Sequence, residues 1–585
     1  MFYRDVGIVL CSGVLICSQA WGNEHKKHHS SATSAPPPVI EEVVIRVHPV
    51  FDESNPDENN ALFRLVNRLH INTKPKVIKK DLTFKQGEPA DKHLLAESER
   101  RLRERRYFAS AKVTSTAAQT DSNSTASPAN ATPPDTTKVV VDVREVWTLV
   151  PKLTYSTAGG STHYGYGLYD SNFLGLGKSV KIEHDSTTER TSDTIAYRDP
   201  NFANQKQLSF AYSDNSDGQA QEFHFSNPFR SIRTPWSAGV DYENYVREDS
   251  LFDAGEEAWR FGHDNRFYSL FYGVKLDGSN DDRTHRLSIG FDDVSAHFYP
   301  VPLQDTPNTD PNPNVDNDPY NTPNIAPNIA PSFTLPYDRD YQILWLEYSY
   351  LHDRFIEASN VQQINRIEDI NLGSQFRWRL GQVHSSTPAL DNATLLALDY
   401  TKAFQLSPTQ LLTSQWASSG FYNHNGATQS LTSAALAYHW QNFSRGQFYV
   451  MASEVYGQNL FADTPLELGG DTGLRGYPAR FIAGEHLRLL TIEQRYFGEK
   501  EWFSLFHMGA AVFYDQGQVW GNTAVPQTYQ QTLRDVGIGL RISGTRTGGR
   551  EEGIHNIAHI DLSYPLDGGK DIDKYQLSVK IKTSF

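Results

Sequence analysis

The final eleven residues alternate without a break, apolar Tyr575, Leu577, Val579, Ile581, Thr583 and Phe585 against polar Gln576, Ser578, Lys580, Lys582 and Ser584. Period-two patterning places every other side chain on one face of a strand. A strand patterned to its tip and left unpaired would expose a row of N–H and C=O groups, which invites aggregation; closing a barrel by pairing last strand with first removes that edge. The stretch therefore predicts the closing strand of a transmembrane β-barrel. The last strand of a soluble sandwich is the alternative.

The four preceding segments separate the two. In each, one parity is apolar and the other is polar or small. Leu490, Ile492 and Tyr496 oppose Thr491, Glu493 and Arg495. Met508, Ala510, Val512 and Tyr514 oppose His507, Gly509, Ala511, Phe513 and Asp515, which puts Asp515 away from the apolar side. Val536, Ile538, Leu540 and Ile542 oppose Gly537, Gly539, Arg541 and Ser543, and Ala558, Ile560, Leu562 and Tyr564 oppose His559, Asp561 and Ser563. Sheets of a sandwich would bury their apolar faces against each other; charges recurring on one face predict a wet lumen inside a lipid-facing wall.

Composition agrees. The chain has 585 residues with 12% aromatics, 40 Gly and 10 Trp, enough for many strands and for aromatic girdles at headgroup level. Mean hydropathy is −0.53, and beyond residue 17 there is no apolar run of the ~18 residues a membrane helix needs. A net charge of −15 and a pI near 5.7 argue against a nucleic-acid partner, which selects a basic surface.

Arg4, the apolar stretch Val6 to Cys17 and the small residues Ser18-Gln19-Ala20 predict a signal peptide over residues 1–20. Cys11 and Cys17 both fall inside it, so the remaining chain has no thiol for a disulfide, a nucleophile or a metal site. Residues 21–39 form a flexible linker: the His/Lys tract from Glu24 to Ser30 runs into Pro36-Pro37-Pro38.

Residues 40–148 read as a small α/β module. Val43, Ile45 and Val47 alternate as a strand. Asn55 caps a helix with Pro56 in its first turn and Leu62, Leu65, Val66 and Leu69 on one face. Val77 to Phe84 is expected as a second strand, Ala90 to Arg106 as a second helix with its basic run Arg100 to Arg106 turned outward, and strands follow around Ala111–Val113 and Val139–Val143. A Ser/Thr/Pro/Asn-rich insert, 120–137, separates those strands.

Phe84-Lys85-Gln86-Gly87, Glu97 to Arg103 and Arg106-Tyr107-Phe108 together resemble a POTRA domain, the module that precedes barrels of the BamA/TamA-type outer-membrane assembly and translocation superfamily. Two barrel motifs are similar to that superfamily as well. Leu474-Arg475-Gly476-Tyr477 resembles the arginine-glycine-aromatic motif of its long sixth extracellular loop, and Phe513-Tyr514-Asp515-Gln516-Gly517 resembles its Phe-x-Asp-x-Gly motif. The resemblance implies a mainly β fold: a sixteen-stranded antiparallel barrel over 149–585, one POTRA domain over 40–148, and a loop folded into the lumen with Arg475 paired to Asp515. It also implies an outer-membrane location with the POTRA domain in the periplasm, a monomeric barrel, and partners that are outer-membrane lipid, an extended client polypeptide and, as a further candidate, a periplasmic or inner-membrane-anchored protein. It implies no cofactor.

Other chemistries fare poorly. Gly175-Leu176-Gly177-Lys178-Ser179 mimics the end of a phosphate loop, but Asn172 stands where its first glycine belongs, and Val180, Ile182 and His184 continue as a strand. There is no Gly-x-Ser-x-Gly elbow and no His-Glu-x-x-His helix, so neither catalytic residues nor a metal site are expected, and His507 and His559 are lumen-facing polar groups. The Pro/Asn-rich run 302–331 is expected as an extracellular loop, because proline lacks a ladder donor.

Two function classes remain. One is insertion or translocation of other polypeptides, with two-partner-type secretion as its close variant; the other is a passive pore or surface antigen without clients. A lumen loop held by a desolvated ion pair favours the first, since an open pore gains nothing from it. Pro151, inside the first barrel strand, together with Ser578 and Phe585 on the last, marks a candidate lateral seam, because proline in a strand removes a ladder donor. Pro151 could equally mark the junction between module and barrel.

Overall fold

The computed structural model describes residues 37–117, 136–158, 161–279, 282–301, 334–546, 557–569 and 572–582. Residues 1–20, expected as a signal peptide, all but the end of 21–39, expected as a linker, nearly all of the 120–137 insert, the 302–331 run and Phe585 lie outside the described residues.

The small module is a three-stranded sheet, β1 (Val39–His48), β2 (Phe108–Ala117) and β3 (Thr136–Glu145), in the order β1-β3-β2. β3 runs parallel to β1 and antiparallel to β2. Its alternation turns Val139, Val141 and Val143 into a core with Ile78, Leu102 and Phe108. Three helices cover it: α1 (Ala61–Leu69), α2 (Pro75–Asp81) and α3 (Lys92–Glu104).

Three expectations for this module are corrected. Asn55 caps only the short 3-10 turn Pro56–Glu58; Asn60 caps α1, accepting from the Phe63 amide. α1 is also rotated from its leucine stripe, leaving Leu62, Leu65 and Leu69 at 63%, 50% and 63% exposure, because Phe63 stacks on Phe51 at 3.9 Å and packs into a cluster with Val50 and Trp147. The stretch expected as a strand from Val77 is helix α2. Pro75 sets its first turn, and Val77, Ile78 and Asp81 share its buried face, so proline geometry and a helical spacing outweigh the β-branched pair. Finally, the basic run on α3 does not face water. Arg100 and Arg106 are buried where the helix meets the barrel, Arg106 donating to the Tyr169 hydroxyl and Arg100 standing 3.5 Å from Asp353.

From β4 (Leu149–Ala158) onward the described residues form one closed barrel of twenty strands, the last, Gln576–Lys582, lying beside β4. The sixteen strands expected are thus exceeded. That number came with the resemblance, whereas the five terminal segments read from parity all appear in order after the long loop. Barrel diameter grows with strand number, so twenty strands enclose more space than side chains can fill.

Inner and outer faces follow the alternation. Glu493, Asp515, Arg541 and Asp561 are buried inward, while Val512, Ile538, Leu562 and Leu577 project outward at 43% exposure or more. Tyr166, Ile182, Phe210 and Tyr272 continue the outer belt around the first half. An outward apolar belt around a polar interior is the wall that lipid covers, and among the described residues no helix is long and apolar enough to cross a membrane.

The module caps one mouth of this barrel. The turn at Phe173–Gly175 carries the phosphate-loop mimic, and its glycines are docking points: Gly175 accepts from the Lys74 amide at 3.0 Å, and a Cβ on Gly177 would fall 2.6 Å from Val77. Both glycines have φ near +68°, which side-chain-bearing residues adopt at a cost. Asn172 donates to Thr73, Asn201 to Asp81, and Arg233 to Asp91, so three successive barrel turns hold the module.

Candidate functional site: the lumen loop

Between strands Gly446–Gln458 and His486–Trp502 the chain makes a long excursion into the lumen, stiffened by a two-stranded ladder, Leu466–Leu468 with Ile482–Gly484. Its apolar residues explain why it stays inside. Leu468, Leu474, Tyr477 and Ile482 are fully buried against Leu487, Val519 and Leu533 of the wall. The loop supplies the core that a wide barrel lacks.

Arg475 anchors it. Its Nε and Nη2 donate to the two oxygens of Asp515 at 2.6 and 2.9 Å, the bidentate geometry that a planar guanidinium favours. Nη1 donates to Glu493 at 2.7 Å, and the guanidinium lies 3.4 Å from the Phe513 ring centre. Asp515 is fully buried and takes a further bond from the Thr491 hydroxyl at 2.9 Å. Glu493 is shared with Arg495 at 2.7 Å, and Arg495 reaches Gln447 while stacking on Tyr449. Taking such charges out of water costs several kcal/mol per ion, so the pair persists because two carboxylates, an aromatic face and a hydroxyl saturate it together.

The rest of the tetrapeptide is equally constrained. The Gly476 amide donates to Asp535 at 3.0 Å, and a Cβ at Gly476 would stand 2.6 Å from that of Asp535. The Tyr477 hydroxyl lies 2.8 Å from the Arg534 carbonyl, on strand Leu533–Gly544, and 2.9 Å from the Asp567 carbonyl, in the turn that follows strand Ile557–Pro565. Leu474 packs beneath Gly517, where a Cβ would meet Leu468 at 2.8 Å and Leu474 at 3.2 Å. The two motifs are thus complementary in shape as well as charge: the glycine ending the wall motif leaves room for the leucine opening the loop motif.

Parity placed Glu493 and Asp515 on the inner face but could not give their depth, and so missed Glu493 as a second partner of Arg475 and Asp535 as the acceptor for Gly476. The cross-strand register of Asp515 opposite Thr491 and Asp535 supplies that depth. The loop also reaches the closing strand, where Lys580 donates to the Gly470 carbonyl at 2.5 Å.

The seam residues are placed less completely. Pro151 is the third residue of β4, exposed and opposite Leu168, whereas Ser578 is buried on the inner face opposite Asp561. Trp147, two residues before β4 begins, packs against the Phe51–Phe63 cluster of the module. His507 and His559 occupy inward parities on separate strands, His507 lying 3.3 Å from the Lys500 carbonyl.

No family model matches the chain, and no curated protein matches it. Among solved structures, BamA from Haemophilus ducreyi lacking POTRA domains 1–3 is 12% identical, with 94% of this chain and 85% of that one covered and a TM-score of 0.36. CdiB from Acinetobacter baumannii is 12% identical over 94% of this chain and 74% of that one, with a TM-score of 0.40. CdiB from Escherichia coli is 11% identical over 97% and 94%, with a TM-score of 0.35.

Proposed function

We propose that this chain is an outer-membrane barrel that inserts or translocates other polypeptides, its POTRA-like module receiving the client in the periplasm. The observation that carries the reading is the lumen loop. Arg475, Asp515 and Glu493 form a buried, multiply bonded anchor that holds a plug in a barrel otherwise wide enough to conduct. A passive pore would bear the desolvation cost of that anchor without return. The module supports the same reading: Gly87 to Ala90 bond the start of the free edge of β1, at Pro38 and Ile40, but from Glu42 to His48 β1 pairs, among the described residues, through its β3 side, which leaves that part of the edge to an extended polypeptide by strand addition.

Assembly and secretion differ in the client's exit. A seam between β4 and Gln576–Lys582 would release it sideways into lipid, and Pro151 removes a donor from that edge. The lumen would release it outward. Photo-crosslinkers placed along β4 in living cells test this directly. Client adducts from positions at the seam support insertion, adducts confined to lumen positions support secretion, and no polypeptide adduct from either set would leave the passive-pore reading standing.

A further inference from the structure

The connection between strands Arg339–His352 and Gln375–Ser385 is not a tight turn. It is a hairpin, Phe355–Ser359 paired with Ile367–Asn371, at the mouth that carries the module. Its tip enters the lumen and lies across six consecutive strands. Val361 and Ile370 pack with Ala403 and Leu411, and Ile364 packs with Phe497 and Ala511. Two wall carboxamides bind its backbone, Gln441 donating to the Ser359 carbonyl at 3.0 Å and Gln447 to the Asn360 carbonyl at 2.8 Å.

Such a surface reads backbone and accepts apolar side chains of no particular identity. It therefore suits any extended polypeptide, and the hairpin is the one that fills it here. The base of the hairpin is held from outside the barrel. On α3, Arg103 donates to Asp369 at 2.7 and 3.2 Å and lies 3.2 Å from Glu357, while Arg100 stands 3.5 Å from Asp353 and 5.7 Å from the Phe355 ring centre. Helix α3 belongs to the module proposed to meet the client first.

We propose that the inner wall under the hairpin is the barrel's polypeptide-binding surface, occupied in cis by residues 355–371 until the module lets go through α3. This rests on the translocation reading and names the place where the client would sit. Displacement would exchange one set of carboxamide–carbonyl bonds for another, so the client need supply only a strand and a few apolar side chains. Arg100 and Arg103 are positioning residues: they touch the hairpin and not the client.

The test uses the full chain, whose only other thiols are Cys11 and Cys17. Ser359→Cys with Gln441→Cys, and neighbouring pairs to find register, pin the hairpin when oxidised and free it when reduced. A photo-crosslinker at Leu411 then reports capture of a synthetic peptide with the alternating sequence of residues 575–585. Capture is expected in the reduced form, lost on oxidation, and raised several-fold by Arg100→Ala with Arg103→Ala. Conductance in planar bilayers, which needs no client, is expected to rise when residues 354–372 are replaced by a two-residue turn. Equal capture in locked and unlocked barrels, or conductance unchanged in a correctly folded deletion variant, overturns the proposal. If these behave as expected while no client is found in cells, translocation fails and the cis-occupied surface stands; if cells yield clients but locking has no effect, the reverse holds.

Discussion

The two halves of the barrel wall treat their inner faces differently. On strands His486–Trp502, Phe506–Trp520 and Leu533–Gly544 nearly every inward residue is buried, by the lumen loop or the hairpin. On strands Lys206–Asn215 and Gly218–Asn227 most inward positions stay half-buried, with Glu222 exposed and Ser226 buried, although outward Phe210, Tyr212 and Phe223 form the same lipid-facing belt. Lipid makes the same demand of both halves, so the outer faces agree. The inner core reaches back as far as strands Trp236–Asp253, Glu256–Lys275 and Arg283–Pro300, where Leu251, Phe261 and Phe298 are buried with Val525, but not to Lys206–Asn215 and Gly218–Asn227. The free space of the lumen therefore lies along the strands that follow β4, and the occupied side carries stability that the open side does not.

The largest effect should come from breaking that core at its anchor. Arg475→Ala leaves Asp515 and Glu493 buried without their shared cation, a loss of roughly 3–5 kcal/mol for a buried pair stripped of one partner. The barrel should still migrate as a folded species on gels, while protease access to residues 466–484 rises. Because Arg475 and Asp515 act as a unit, Arg475→Ala with Asp515→Ala should cost less than the sum of the single variants. Strict additivity would mean the loop is held by something other than this pair.

A smaller effect is expected where the core is shaped rather than charged. Gly517→Val pushes a side chain into Leu468 and Leu474, an overpacking cost of about 1–3 kcal/mol. Arg475 would keep its partners, so chemical unfolding of the loop should move while its charge-dependent anchoring does not. If Gly517→Val is silent, Leu474 is free to repack and the shape complementarity is incidental.

How much of this was legible beforehand divides along physical lines. Alternation is local, so the inward placement of Asp515, Arg541 and Asp561 could be read from parity alone. Depth along a strand depends on register with a neighbour, and so Glu493 was placed on the inner face without its meeting with Arg475, while Asp535, one residue before the alternation read in its strand, was not singled out at all. In the module, Val77-Ile78 favours a strand by residue type, whereas Pro75 in the first turn and the fit of Val77, Ile78 and Asp81 to one buried face make the stretch helix α2. The hairpin at 355–371 was invisible for the strongest reason. Its partners, from Ala403 to Ala511, are scattered across strands far along the chain, and no local pattern distinguishes a strand that joins the wall from one that folds inside it.

The lumen is filled in two ways, by the loop and by the hairpin. The hairpin's base contains Asp353, which burial pushes up to about 7 although Arg100 pulls the other way. Glu97 on α3 and Asp282 on the adjacent turn raise it further, and Arg286 lowers it. An acid whose value is raised in the docked state binds its proton more tightly there than when released. Docking is therefore strongest at low pH and weakens as pH rises through the docked value of about 7, by about 1 kcal/mol between about pH 6 and about pH 8. Hydrogen exchange of residues 355–371, corrected for intrinsic rates, should show protection falling over that window and the dependence vanishing in Asp353→Asn. A pH-independent hairpin would make the Arg100 contact a simple ion pair.

The smallest stability effect should belong to the open half, and its smallness is what gives the comparison meaning. Ala211 sits between Ala196 and Glu222 on the inner face of Lys206–Asn215, beside no part of the loop or hairpin among the contacts described for them. Ala211→Leu adds bulk to half-buried space, so unfolding should shift by no more than about 0.5 kcal/mol, as surface substitutions do. Its effect on client passage should be much larger than its effect on stability, because the added side chain narrows the part of the lumen that nothing else fills. In the occupied half the order is reversed: Gly517→Val damages stability first and passage only through it. Measuring both quantities for both variants separates the two halves. Should Ala211→Leu destabilise the barrel as much as Gly517→Val, the inner face there is packed after all, and the route for a client must be sought at the seam instead.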